Sequence, residues 1–594
     1  MNTKIILAII LLSVSFSFTR SSKSKPEITA KELKKHISFL ASDEMKGRKP
    51  GTPEDLVVAN YIRKQFADYG LKMMGDNGFH HVELVTGVEL GENNAVQIGN
   101  KKLSMHTDFR PLSFSEDAIL NAKIAVVGFG LDIKTDKTTW NDYQGIDVKG
   151  RWALIMIGEP KFEGRQNPYE EFSGLRTKVL TAKDHGALGV LFVTAHSKSK
   201  TDELTDLFYD KVESTAGIPV IHISRNIADM ILESMNYNLL ALENEMNKIQ
   251  APISSNIDVE LSGQTDIDLI RVNSQNILAM VEGSDPLLKN EYIIVGAHYD
   301  HLGMGGHGSG SRFPDTVAVH NGADDNASGV AGIIELAGSL QKAKKDLKRS
   351  IVFIAFTGEE MGLLGSKNFV ESQLLENSSM KTMINFDMIG RLNKKTMTLL
   401  VGGSGTAIES DSLLHMHASK HGFNLKLSPE GYGPSDHAAF YSKSIPVIFI
   451  STGAHADYHT WQDDIDKIDF EGEQQVLMFS ESLIKDLASA SNPLTFKEAG
   501  PKERASSTSY KVTLGIMPDF AAGDIKGLKV EVVRKGAPAN KGGMEDGDII
   551  TAINGLSVNN IYDYMNRLKK LNVGESITVD VLRGEETHVL IIQL

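Results

Sequence analysis

Five short segments between residues 298 and 459 hold side chains that could do chemistry together. They are His298-Tyr299-Asp300, Ala323-Asp324-Asp325-Asn326, Thr357-Gly358-Glu359-Glu360, Asn385-Phe386-Asp387 and Tyr458-His459. Singly each is weak. A Glu-Glu pair is ordinarily a solvated loop, and Asp-Asp-Asn ahead of a helix is ordinarily a cap and dipole cluster. In this order they fit two metal ions sharing one carboxylate, with a spare glutamate beside them. Imidazole and carboxylate ligands suit zinc, and a catalytic site keeps one position open for water. Two such ions lie ~3.5–4 Å apart when a carboxylate bridges them. Five protein ligands then suffice if one is shared. His298 and Asp387 are assigned to one ion, Glu360 and His459 to the other, and Asp325 to both. Asp300 is expected to orient the His298 imidazole from two residues away. Glu359 is left over, beside a ligand, and is the expected general base for an attacking water. Tyr458 is the candidate donor to the oxyanion of a tetrahedral intermediate. The chemistry is hydrolysis.

Elements able to position these residues can be read around them. From about 274 to 490, apolar strands alternate with amphipathic helices. Strands are expected at 291–297, 350–356, 381–387, 398–401 and 446–450, and a helix follows Ala327. Such alternation predicts a mostly parallel sheet covered by helices on both faces. Ligand sites in these sheets gather at the carboxyl ends of the strands. His298, Glu359, Glu360 and Asp387 all stand at such ends. His459 lies in a loop beyond the last strand.

Upstream, Leu33, Ile37 and Leu40 predict a helix with Thr29 as N-cap, and a second helix is expected from about 53 to 70. Residues from about 121 look like a separate, strand-rich insertion. Residues 489–508 are small, polar and proline-bearing, so they are expected to form a linker. The remainder suits one small domain with strands at 511–516, 528–533, 549–553 and 576–582.

Composition bounds the alternatives. At 594 residues the chain needs several cores. A net charge of −14 argues against nucleic acid. There are no cysteines, which excludes disulfides, thiol catalysis, thiolate zinc sites and a lipidated cysteine anchor. Lys4 precedes an apolar run, Ile5 to Phe18, shorter than the ~20 residues a membrane helix needs. It is expected to be a secretory signal over residues 1–20, which implies a secreted or periplasmic protein with no integral membrane segment once the signal is removed.

Other motifs carry less. Gly303-Met304-Gly305-Gly306-His307-Gly308 follows a strand, but no helix follows it, so it is expected to be a loop rimming the crevice rather than a dinucleotide site. His417 and His421 are four apart with no accompanying glutamate and are expected on a solvent-facing helix.

The segments GAHYDHLG, NGADDNASGVA, FTGEEMGLLGS, INFDMIG, GPSDHAAF and DYHTWQDDIDKI resemble metallopeptidase family 28, the co-catalytic di-zinc aminopeptidases. The resemblance implies an α/β fold, a mostly parallel mixed sheet flanked by helices, with two zinc ions. It puts the metal ligands on His298, Asp325, Glu360, Asp387 and His459, the base on Glu359, the orienting aspartate on Asp300 and the tyrosine on Tyr458. The chain departs from some members at Pro434, where an arginine would help bind substrate. Asp436, two residues on, is either a pocket residue or a structural turn aspartate. DVKGRWALIMIG and AKDHGALGVLFV resemble a protease-associated (PA) domain, and the tail resembles a PDZ domain, with Leu514, Gly515 and Ile516 as its peptide-binding loop. The implied division is signal 1–20, peptidase 21–120 and 263–490, PA insertion 121–262, linker 491–508 and PDZ 509–594. The expected activity is removal of N-terminal residues from peptides, with a PDZ ligand of unknown identity. A carboxypeptidase or dipeptide-releasing enzyme of the same family, a non-catalytic peptide-binding protein and a glutaminyl cyclase are the alternatives.

Overall fold

The computed structural model describes residues 28–135, 138–162, 167–210, 214–499, 512–518 and 525–594. The expected signal segment lies outside these residues. Among them, no helix is long and apolar enough to cross a membrane.

A nine-stranded sheet carries the candidate site. Its central strands, Ser350–Phe356, Tyr292–His298, Met380–Phe386 and Val447–Ser451, lie side by side and parallel. The flanks are antiparallel: Ile267–Val281 pairs Ser350–Phe356 on one side, and Thr398–Gly402 pairs Val447–Ser451 on the other. The long Phe79–Leu90 strand extends the first flank as a ribbon with Ile267–Val281. Every residue of Ser350–Phe356 is buried, as expected for a strand covered on both faces. Side chains alternate between two cores. Ile293, Val295, Ile351 and Phe353 pack with the helices Ala30–Leu40, Gly329–Lys342 and Phe470–Ser489. Ile294, Val352, Ile354 and Phe356 pack on the opposite face with Phe369 and Phe440.

The first two helices start where the capping residues indicate. The Thr29 hydroxyl accepts from Glu32 N–H to open Ala30–Leu40, and Thr52 does the same for Pro53–Asp68. The first residues of the expected linker pack on the peptidase unit. Ile408 N–H donates to Thr495 O, Lys497 N–H to Thr406 O, and Phe496 packs against Tyr441. Residues 495–497 thus add an edge to the peptidase unit.

The second sheet has eight strands, in the spatial order Lys101–Lys102, Ala95–Ile98, Ser254–Thr265, Ala118–Val127, Trp152–Ile157, Gly189–Thr194, Val220–Ile223 and Phe109–Pro111. Four of these lie wholly or partly before residue 121, so this sheet recruits chain from further upstream than the change of sequence texture suggests. Helices Leu175–Asp184, Arg225–Leu232 and Leu239–Ile249 accompany it.

The third sheet has six strands around Leu514, Val530, Ile550, Val579 and Ile592. Among the described residues its first strand is Ile516–Pro518, and residues 512–515, expected as strand, are not extended into it. Gly515 has a left-handed φ of 75°, which an extended strand cannot contain.

Candidate metal centre

Parallel pairing places the carboxyl ends of four strands on one edge. His298 stands opposite Phe356 in register, so the Thr357-Gly358-Glu359-Glu360 turn starts beside it. Asp387 follows Phe386, which pairs with Ile450, and the loop after Ser451 returns with His459. Asp325 arrives on the turn that leads into Gly329–Lys342.

The five expected ligands converge. The two oxygens of Asp325 face opposite ways: Oδ1 is 3.3 Å from His298 Nε2, and Oδ2 is 3.3 Å from His459 Nε2. His298 Nε2 is also 3.8 Å from Asp387 Oδ1. His459 Nε2 is 3.1 Å from Glu360 Oε2. Ligand-type atoms within 4.8 Å of one another form two groups, His298 with Glu359 and Asp387, and His301 with Asp325 and Glu360. His301 was not picked out from the sequence. Its Nδ1 lies 2.8 Å from Glu360 Oε1. Its place in His298-Tyr299-Asp300-His301 was the available signal.

Backbone carbonyls and amides hold the frame. The Asp300 carboxylate accepts from the N–H groups of Glu359 (3.1 Å) and Glu360 (3.3 Å), so it fixes the turn that carries both glutamates. Its Oδ1 is 3.7 Å from His298 Nδ1, while that nitrogen makes its closer contact, 3.1 Å, with the Asp300 carbonyl. Asp300 therefore acts more on the glutamates than on the imidazole. Asp463 Oδ2 accepts from the N–H groups of Asp324 and Asp325 at 3.1 and 3.0 Å. Arg48 is buried and donates to four carbonyls, those of Leu40 and Asn321 (2.7 and 2.5 Å), Tyr299 (2.7 Å) and Gly322 (3.0 Å). It ties the His298 loop to the Asp325 turn. Gly322 is required there: its φ is 52°, and a Cβ would collide with the Asp325 carbonyl and the His301 ring.

The donor set suits a cation. Asp300, Asp325 and Asp436 are buried, with Glu359, Glu360 and Asp387 half-buried beside them, and charges so removed from water must be paired or coordinate metal. Asp325 Oδ2 and His301 Nε2 are buried with no hydrogen-bond partner. Burial opposes charge on His298, yet Glu359, Asp300, Asp325 and Asp387 outweigh it and hold its pKa well above the ordinary value. Burial likewise opposes charge on His459, and Asp325 and Glu360 raise its pKa to about 10. Protonated imidazoles thus supply positive charge that dications would supply instead. Glu360 resists its own burial, drawn down to about 2 by His301 and His459. Glu359 goes the other way. Burial first, then the carboxylates of Glu360, Asp436 and Asp387, push it well up against the pull of His298. Two adjacent glutamates therefore differ in how tightly they hold a proton.

Residues 276–482, which contain every one of these ligand-type residues, match the sequence model of Peptidase family M28. This segment is an M28 domain. The PA domain model matches residues 118–231 and the PDZ domain model residues 504–594. Among curated relatives, Aminopeptidase YwaD of Bacillus subtilis is 28% identical over 341 residues, 55% of this chain and 60% of that protein. Leupeptin-inactivating enzyme 1 of Streptomyces exfoliatus is 30% identical over 180 residues, 30% of this chain and 36% of that protein. The chain thus spans less than two thirds of the length of these relatives. Among solved structures, a zinc aminopeptidase from Bacillus subtilis aligns with a TM-score of 0.45 at 21% identity, over 80% of this chain and 97% of that one. The aminopeptidase from Aneurinibacillus sp. strain AM-1 aligns with a TM-score of 0.44 at 22% identity, over 80% and 96%.

The remaining candidates fall around the M28 site. The Tyr458 ring stacks on His459 at 3.8 Å between centroids, and burial raises its pKa, so the hydroxyl keeps its proton. Asp436 is fully buried, and burial pushes its carboxyl up to about 7. The glycine-rich loop lines the cavity outside the M28 site through Gly303, Gly305 and Gly308. His417 is not solvent-facing. It is buried against the Phe470–Ser489 helix, with Nδ1 2.8 Å from Ser482 Oγ. His421 shares that hydroxyl at 3.0 Å. In the PDZ domain Leu514 is a core residue, and the Leu514 and Gly515 carbonyls accept from Ala539 and Arg534 N–H. Ile516 opens the edge strand.

Proposed function

We propose that the chain is a two-zinc aminopeptidase that removes residues from the N-termini of peptides. One observation carries the reading: Asp325 sits with His301 and Glu360 in one ligand group, turns Oδ2 to His459, and turns Oδ1 to His298 of the other group. His298 and Asp387 would hold one zinc ion, Glu360 and His459 the other, with Asp325 shared and His301 beside the second. When bound, zinc supplies Lewis-acid polarisation of a carbonyl and acidifies a water molecule. Glu359 accepts the proton of the attacking water and returns it to the leaving amine. Asp300 keeps Glu359 on station through its backbone N–H. Tyr458 donates to the developing oxyanion. The names of the relatives support an aminopeptidase, and Pro434 in place of an arginine points to a different hold on the substrate.

Zinc content and peptide mass spectrometry test this. The expected result is two zinc ions per chain, stepwise shortening of an unblocked peptide and an intact N-acetylated peptide. Glu359→Gln should lose about 10²–10⁴-fold in kcat while keeping its zinc. Cleavage of the acetylated peptide alone would overturn the aminopeptidase reading. Full activity in Glu359→Gln would overturn the assigned base.

A further inference from the structure

A cavity of about 770 Å³ lies against the metal centre and is walled by all three domains. His301 and Glu360, which face each other in the site, also form part of its wall, so the two are continuous. Another part of the wall is PDZ surface, including Tyr562 and Met565 from the Ile561–Lys569 helix.

That PDZ wall is docked on the PA domain. Arg567 meets Asp184 with both terminal nitrogens, at 2.5 and 2.8 Å, and is itself buried. Paired, bidentate contacts of this kind fix orientation as well as distance. Arg567 also donates to Ser557 O within its own domain at 2.9 Å. Asn560 Nδ2 donates to Thr215 O at 3.2 Å. The Arg176 guanidinium lies 4.8 Å from the Tyr562 ring and 4.5 Å from the Phe114 ring.

Two further features name the occupant. Residues 85–88 of the Phe79–Leu90 strand line the cavity, and among the described residues this part of the strand pairs only with Ile267–Val281. An open strand edge takes an extended peptide through backbone hydrogen bonds with little regard for sequence. The cavity also gathers large apolar side chains that are exposed, Phe208 at 48%, Met304 at 42% and Met565 at 38%. Exposed apolar surface beside a site marks a binding groove, and methionines adapt to varied side chains.

We propose that this cavity is the subsite for the downstream part of the substrate, an extended peptide whose N-terminus lies at the metal centre and whose following residues run between the PA and PDZ domains. This rests on the aminopeptidase reading above. The PDZ domain then favours peptides of several residues over single-residue derivatives, acting in cis from its docked position.

The test uses the full-length protein with leucine p-nitroanilide and an unblocked octapeptide beginning with leucine. Met565→Arg and Phe208→Ser alter exposed side chains from two different domains. Each should raise the octapeptide KM about tenfold more than that for leucine p-nitroanilide, with little change in the octapeptide kcat. The same split should appear as weaker octapeptide binding to the Glu359→Gln protein by fluorescence anisotropy. Equal effects on both substrates, or none on the octapeptide, would overturn the subsite and leave the aminopeptidase reading standing. Faster octapeptide cleavage in either variant would also overturn it, because the cavity would then hold an inhibitory segment. Cleavage confined to N-acetylated peptide would overturn both.

Discussion

At the scale of single residues, the candidate site depends on side chains outside the candidate ligand set. Asp300 accepts two consecutive backbone N–H groups, so its charge sets where Glu359 and Glu360 stand. Asp300→Asn should therefore cost about 10–100-fold in metal affinity or activity, the usual penalty for losing a group that orients ligands. Chelator competition and kcat measured side by side would register it. Arg48 satisfies four buried carbonyls from three parts of the chain. Arg48→Met leaves them without donors and should cost about 3 kcal/mol or more, read from the denaturant midpoint. Glu359 and Glu360 were legible because each sits in a distinctive context just after an apolar strand. Arg48 was not, because its partners lie as far as 274 residues away and are plain backbone.

At the scale of elements, the parallel strand ends create the site, and local strand chemistry adds a pH dependence elsewhere. His222 on the Val220–Ile223 strand is buried, with ring nitrogens bonded to Thr194 Oγ1 and Thr205 N–H. Burial, helped by Arg110 and Arg225, lowers its pKa from 6.5 to about 4. Between those values the unfolded chain binds more protons than the folded one, so stability is lost as pH falls through that window. The loss is on the order of 3 kcal/mol for this group. Thermal melts from pH 7 to pH 4 should show a smaller acid-induced drop in Tm for His222→Asn than for the wild type. Strand positions in the central sheet follow from their continuous apolar runs. The antiparallel flanks do not, since pairing direction depends on which distant strand closes the edge. His417 shows the same limit. Its helix reads as polar, but the Phe470–Ser489 helix covers that face and supplies Ser482.

At the scale of the whole molecule, a buried acidic cluster couples metal binding to folding. Stripping metal leaves the carboxylates of Asp325, Glu360 and Asp387 with imidazoles as their nearest positive charge. A ligand at a thousand times its Kd stabilises the folded state by about 4 kcal/mol. Chelator should therefore lower the Tm of the peptidase transition, and zinc should restore it. A melt insensitive to both would contradict a metal centre here. By itself the sequence determined the residue types at the strand ends, the adjacent pair of glutamates and the three-domain composition, because each is written in a short, contiguous stretch. Only the tertiary structure decided that Asp325 divides its oxygens between two histidines, that His301 joins them, and that Arg567 grips Asp184 across 383 residues to set the PDZ domain beside the crevice. Those depend on how separately folded surfaces meet, and no local periodicity encodes the partner.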